Sequence, residues 1–205
     1  YLYNKHLDSK LFMIPSLMGL LLMIVCGALP ALNIVSEKEA GTIEAINVTP
    51  VSKFVFIMAK LIPYWLLGLV VMTICFGLAW LIYGFTCEGN LGLVYLLALL
   101  LAFVFSGFGL VISNYNQTMQ QAMFVLWFFL LVFMLMSGLL TPVRSMPRWA
   151  YLTTYINPVT YFIDGIRTVF VRGGDFHSIL PQLLGLTGFA VFFDSWAVLS
   201  YRKNS

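Results

Sequence analysis

The chain has 205 residues, of which 61% are hydrophobic and only 9% charged. Soluble domains carry about 25% charged residues, so this composition excludes a water-soluble fold and implies a membrane-embedded one. The formal net charge of +3 is small and spread along the chain, with no basic patch interleaved with exposed aromatics, which excludes nucleic acid as a partner.

Residues 1–10 are polar, with Lys5, His6, Asp8 and Lys10. A bilayer-crossing helix needs about 20 apolar residues, and the first charge-free window covers about residues 11–35. Gly27 and Ala31 lie one turn apart in it and permit close helix approach, either within the chain or across a dimer seam. The three cysteines, Cys26, Cys75 and Cys87, lack metal-ligand spacing, and the first two read as small hydrophobes inside apolar runs.

A charged knot follows at residues 36–60, beginning SEKEAGTIEAINVTPVSKF. Gly41 reads as a break and Thr42 as the N-cap of a very short helix. Ile43, Ala45, Ile46 and Val48 give that helix an apolar face, with Glu44 and Asn47 turned elsewhere. Thr49-Pro50 stops it, because the residue before proline avoids the helical region. Isolated helices below about 12 residues are marginal in water. The segment is therefore either a polar loop on headgroups or a plug docked into a partner protein. Ser52 caps the next helix, which runs through Lys53 and Lys60 and is expected to kink at Pro63.

The second span is expected at about residues 61–85. The polar run Ser113-Asn114-Tyr115-Asn116-Gln117-Thr118 divides the next long apolar window into a third span, about 91–112, and a fourth, about 119–140. Ala98, Ala102 and Ser106 recur at intervals of four in the third, a second small-residue stripe. Residues 143–177 are too polar for a full crossing and too apolar for a free loop. Pro147 can start one short helix, with Trp149, Leu152 and Ile156 on a face. Asn157 can cap a second, with Pro158 at its first position. Asp164 and Arg167, three apart, can pair on it. Two readings fit: interfacial helices lying on the membrane, or a hairpin dipping into it. A fifth span covers about residues 178–201. Its Asp194 is the one ionisable residue well inside a span, either functional or paired with a lysine near the headgroups. The fold class is thus all-α and polytopic. Lysine and arginine asymmetry does not orient it, since the two sides hold five and six.

The pattern Glu37-x-Glu39-x-Gly41-Thr42-x-Glu44, then Thr49-Pro50-x-Ser52-Lys53, then Lys60-Leu61-x-Pro63-Tyr64 resembles the cytoplasmic loop of permease subunits of type-2 ATP-binding-cassette (ABC) exporters. The stretch LMSGLLTPVRSMPRWAYLTTYINPVTYFIDGIRTVFVRG is similar to the end of that family's fifth span and its re-entrant segment, and NYNQTMQQAM fits the entry to that span. Permeases of this family have six spans with both ends cytoplasmic. The resemblance implies that residues 1–10 end an extracytoplasmic region, that the first family span is missing, and that residues 11–205 form the transmembrane domain. Residues 36–60 would be cytoplasmic and residues 143–177 a re-entrant segment on the outer side.

It further implies a coupling helix gripped by a separate ABC ATPase subunit. Glu37, Glu39 and Glu44 would be its polar contacts, Ile43 and Ile46 its apolar plug, and Gly41, Thr42, Thr49 and Pro50 its frame. ATP and Mg would be used by the ATPase, since no G-x-x-x-x-G-K-[ST] loop occurs in this chain and no cofactor is expected on it. A second permease subunit, membrane lipids and a periplasmic adaptor are the other partners the resemblance allows, in a bacterial cytoplasmic membrane. The implied function is outward movement of an apolar or amphipathic substrate, a drug, lipid or glycoconjugate. An ion-coupled secondary transporter would want more intramembrane carboxylates or histidines than Asp194 alone. A membrane enzyme would need a clustered catalytic set, which is not seen. A non-transporting assembly protein could use the same helices.

Overall fold

The computed structural model describes residues 9–42, 53–84, 88–137 and 154–203. Every described element is helical. In chain order these are α1 (Ser9–Met23), a π-turn (Ile24–Ala28), α2 (Leu29–Glu39), α3 (Lys53–Tyr83), α4 (Leu91–Tyr115), α5 (Met119–Met136), α6 (Pro158–Ile166), a second π-turn (Arg167–Val171), a 3-10 turn (Phe176–Ile179) and α7 (Leu180–Lys203). Five helical stretches are long and apolar enough to cross a membrane: Met13–Glu39, Val55–Ile82, Leu91–Tyr115, Met119–Met136 and Phe176–Ser200. The five-span reading therefore holds, and the chain is a polytopic helical membrane protein.

The spans differ in burial. The first and third are mostly buried, while the second, fourth and fifth expose most of their apolar length. The central pair meets through small residues. A methyl group at Gly109 would collide with the carbonyl of Gly27 and lie 3.3 Å from the Ala31 Cβ, so the two backbones touch there. Ala31, Ala98, Ala102 and Ser106 are all buried inside this one chain. Both small-residue stripes thus serve intramolecular packing.

The first span carries a π-turn that hydropathy does not reveal. Pro30 has no N–H, and its ring crowds the carbonyl four residues back, that of Cys26. The wider turn relieves this, with the Leu29 N–H bonded to the Ile24 carbonyl. α3 is one continuous helix that includes Pro63.

Two boundaries move. The first span was expected to end near residue 35 but stays helical to Glu39. Hydropathy marks where hydrocarbon ends; Glu and Lys are good helix formers beyond it. Gly41, at φ 73°, turns the chain out of the helix. The third span runs on through Ser113 and Asn114 to Tyr115. The Ser113 hydroxyl donates back to the Leu110 carbonyl, and the Asn114 amide donates to the Ala197 carbonyl on α7, so both polar side chains find partners without ending the helix. Thr118 then caps α5, accepting from Gln121 N–H.

Candidate functional site: a clamped loop and a buried terminal helix

At one end of the bundle, residues 37–39 tie together the helices that flank the loop. Glu37 pairs with Lys60 of α3, whose Nζ also donates to Asn33 Oδ1 at 2.7 Å and lies 5.1 Å from the centre of the Phe56 ring. Lys38 Nζ donates to the Ser113 carbonyl near the end of α4. Glu39 Oε2 accepts from Met119 N–H at 2.8 Å, placing a carboxylate on the free N–H groups that begin α5. Thr42 Oγ1 donates back to the Glu37 carbonyl at 3.0 Å, so its hydroxyl closes the preceding helix. Three successive residues of α2 thus reach α3, α4 and α5. Glu37 and Glu39 are committed to partners within the chain. Ile43, Glu44, Ile46, Thr49 and Pro50 lie outside the described residues.

At the opposite end sits α6. Asn157 caps it, its Oδ1 accepting from Val159 N–H at 3.0 Å, and Pro158 occupies its first turn, as the sequence predicts. The face formed by Val159, Phe162, Ile163 and Ile166 is buried. Phe162 presses on Gly19 of α1, and Gly165 faces Leu97 of α4. The helix therefore packs among α1, α4 and α7. It also closes the end of α5. Ser137 N–H bonds the Met134 carbonyl, tightening the last turn, and the Phe133 carbonyl instead accepts Asn157 Nδ2 at 2.8 Å. Pro147 and Trp149, the expected first half of the hairpin, lie outside the described residues. The turn before α4 joins the same end, with Glu88 N–H donating to the Phe170 carbonyl at 3.3 Å.

The polar groups of this segment find long-range partners. Asp164 Oδ2 accepts from Gln182 on α7 at 2.8 Å, and Arg167 donates to Ser16 Oγ on α1 at 2.9 Å. Burial, the largest influence, pulls the Arg167 guanidinium down to about 10, with Asp164 opposing and Arg172 adding, so it is cationic at neutral pH. A half-buried cation hydrogen-bonded to the first span ties that span to the wedge.

Asp194 lies in the fifth span against Gly107 of α4. Among the described side chains it has no ion-pair partner; those of Lys53, Arg202 and Lys203 lie outside them. A charge at mid-membrane costs roughly 2.5–3.5 kcal/mol on insertion scales. No group of three or more potential metal-ligating side chains occurs among the described residues.

Five apolar spans, a charged helix end tied to three neighbouring helices and a short helix packed back into the bundle define a polytopic helical membrane protein. The chain belongs to the ABC-2 type transporter family, whose sequence profile matches residues 2–171. It is 29% identical over 202 residues to the probable multidrug ABC transporter permease YbhR of Escherichia coli (strain K12), covering 98% of this chain and 55% of that one. It is 28% identical over 205 residues to the probable multidrug ABC transporter permease YbhS of the same strain, covering 100% of this chain and 54% of that one. The inner membrane transport permease YhhJ of that strain is 28% identical over 211 residues, with 98% and 54% covered. The chain spans about half the length of these curated relatives.

Proposed function

We propose that this chain forms the transmembrane pathway of an ATP-driven exporter in a bacterial cytoplasmic membrane. It works paired with a second permease subunit and with separate ATPase subunits, and it moves an apolar or amphipathic substrate outward. Residues 36–60 face the cytoplasm, and residues 43–50 carry the coupling helix. The observation that carries the reading is the clamp. Glu37, Lys38 and Glu39 join the end of α2 to α3, α4 and α5. A displacement applied to the loop by closure of an ATPase dimer would therefore reach four helices at once, as near-rigid rods. In this arrangement Glu37 and Glu39 position the loop. Ile43 and Ile46, one turn apart, enter the ATPase groove, with Glu44 as the free polar contact.

Burying one such isoleucine is worth about 1.5–3 kcal/mol, and a carboxylate in its place strands a charge in the groove. Ile43→Asp with Ile46→Asp should leave insertion intact, since both residues lie outside the apolar spans. It should abolish co-purification with the ATPase and substrate-stimulated ATP hydrolysis. Thr49→Ala, which removes at most a cap, should do much less. A double variant that holds its ATPase and transports normally would reduce the segment to a polar loop.

A further inference from the structure

α3, α4 and α7 enclose a partly open cleft of about 340 Å³, within the size range of small-molecule sites. Its walls are apolar, with Leu61, Trp65, Phe103, Leu110 and Ala197 among them, and three polar side chains reach it: Ser106, Asn114 and Asp194. Two of the three have their donors committed. Ser106 Oγ donates to the Phe103 carbonyl at 2.9 Å, and Asn114 Nδ2 donates to the Ala197 carbonyl at 3.1 Å and to Ser200 Oγ at 2.8 Å. The Asp194 carboxylate has neither a hydrogen-bond donor nor a cation among the described residues. The lysines of the clamp are engaged elsewhere, Lys38 on the Ser113 carbonyl and Lys60 on Glu37 and Asn33.

The carboxylate has a built seat. Any side chain at 107 would collide with the Asp194 carboxylate oxygen and come within 3.0 Å of its backbone nitrogen, so the absence of one at Gly107 lets the carboxylate rest against bare helix. Facing it in the same cleft, Trp65 and Phe103 form an edge-to-face pair with ring centres 4.6 Å apart. The faces of aromatic rings favour cations. A carboxylate with no partner among the described side chains, set in an apolar, aromatic cleft, is complementary to one chemical class, an organic cation.

We propose that this cleft binds a monocationic amphiphile, its cation held by Asp194 and its apolar body by the Trp65–Phe103 wall. A zwitterionic lipid headgroup brings a phosphate with its amine, so the site favours net positive charge. The inference concerns binding and does not depend on the direction of transport or on the ATPase.

The test uses tetraphenylphosphonium and tetraphenylborate, ions of like shape and opposite charge. Equilibrium binding is measured without nucleotide to the full chain in phosphatidylcholine nanodiscs, with empty nanodiscs subtracted. Saturable binding of the cation and none of the anion is expected. Asp194→Asn should weaken the cation by about tenfold or more. Leu110→Trp, which fills the cleft and leaves the carboxylate in place, should weaken it as well. Equal affinity for both ions, no saturable binding, or unchanged affinity in both variants would overturn the proposal. So would loss of binding when phosphatidylethanolamine replaces phosphatidylcholine, which would assign the cleft to a lipid amine. If Asp194→Asn does not fold, the two ions on the unmutated protein and Leu110→Trp still decide.

Discussion

Asn157 separates the two ways that residues 154–171 could sit in a membrane. On a surface-lying helix it would be an N-cap and nothing more, and Asn157→Ala would cost about 1 kcal/mol. In the structure it is 2% exposed and does two jobs. Its Oδ1 caps α6 at Val159, and its Nδ2 satisfies the Phe133 carbonyl that the tightened end of α5 leaves without a helical donor. Stranding that carbonyl away from water adds about 1–3 kcal/mol, so Asn157→Ala should cost roughly 2–4 kcal/mol in total. Asn157→Ser keeps a good cap but is too short to reach Phe133, so it should lose about 1–3 kcal/mol. The measurement is reversible unfolding of the purified protein by a denaturing detergent, followed by tryptophan fluorescence, with both variants compared at one detergent fraction. The expected order is wild type, then Ser, then Ala, with the Ser–Ala gap near the value of a cap. If Asn157→Ser is indistinguishable from wild type and Asn157→Ala costs only a cap, the wedge is not seated against α5 and the re-entrant reading fails.

Two further outcomes follow from close packing and from orientation. Gly109→Ala should destabilise by about 1–3 kcal/mol, because its methyl group meets the Gly27 carbonyl of the neighbouring backbone. Gly77→Ala, where nothing lies within 4 Å, should stabilise α3 by up to about 1 kcal/mol in the same unfolding assay. With Cys87 first replaced by Ser, a cysteine at Lys53 should resist a membrane-impermeant thiol reagent in intact cells, and one at Arg148 should react. The reverse pattern would discard the proposed orientation and the coupling loop with it.

The number of spans, their order and their helical nature were open to reading from the chain alone. A bilayer leaves backbone groups no partner but their own helix, so a long apolar window has essentially one outcome. Local signals also carried through: the Asn157-Pro158 start of α6 depends on residues two apart, and the break at Gly41 on one backbone angle. What pairs across the bundle was not readable. Glu37, Glu39 and Arg167 stood out in the sequence, but Lys38 finds its carbonyl 75 residues away, Glu39 its helix end 80 away, and Arg167 its serine 151 away. Hydropathy could not place the end of the first helix, because charge marks the edge of hydrocarbon and not the end of hydrogen bonding. Nor could it tell a packing stripe from a dimer seam, or show Asp194 seated on Gly107. Those depend on which helix faces meet, and apolar faces alike in composition become distinct only when the tertiary fold brings particular small and polar residues into contact.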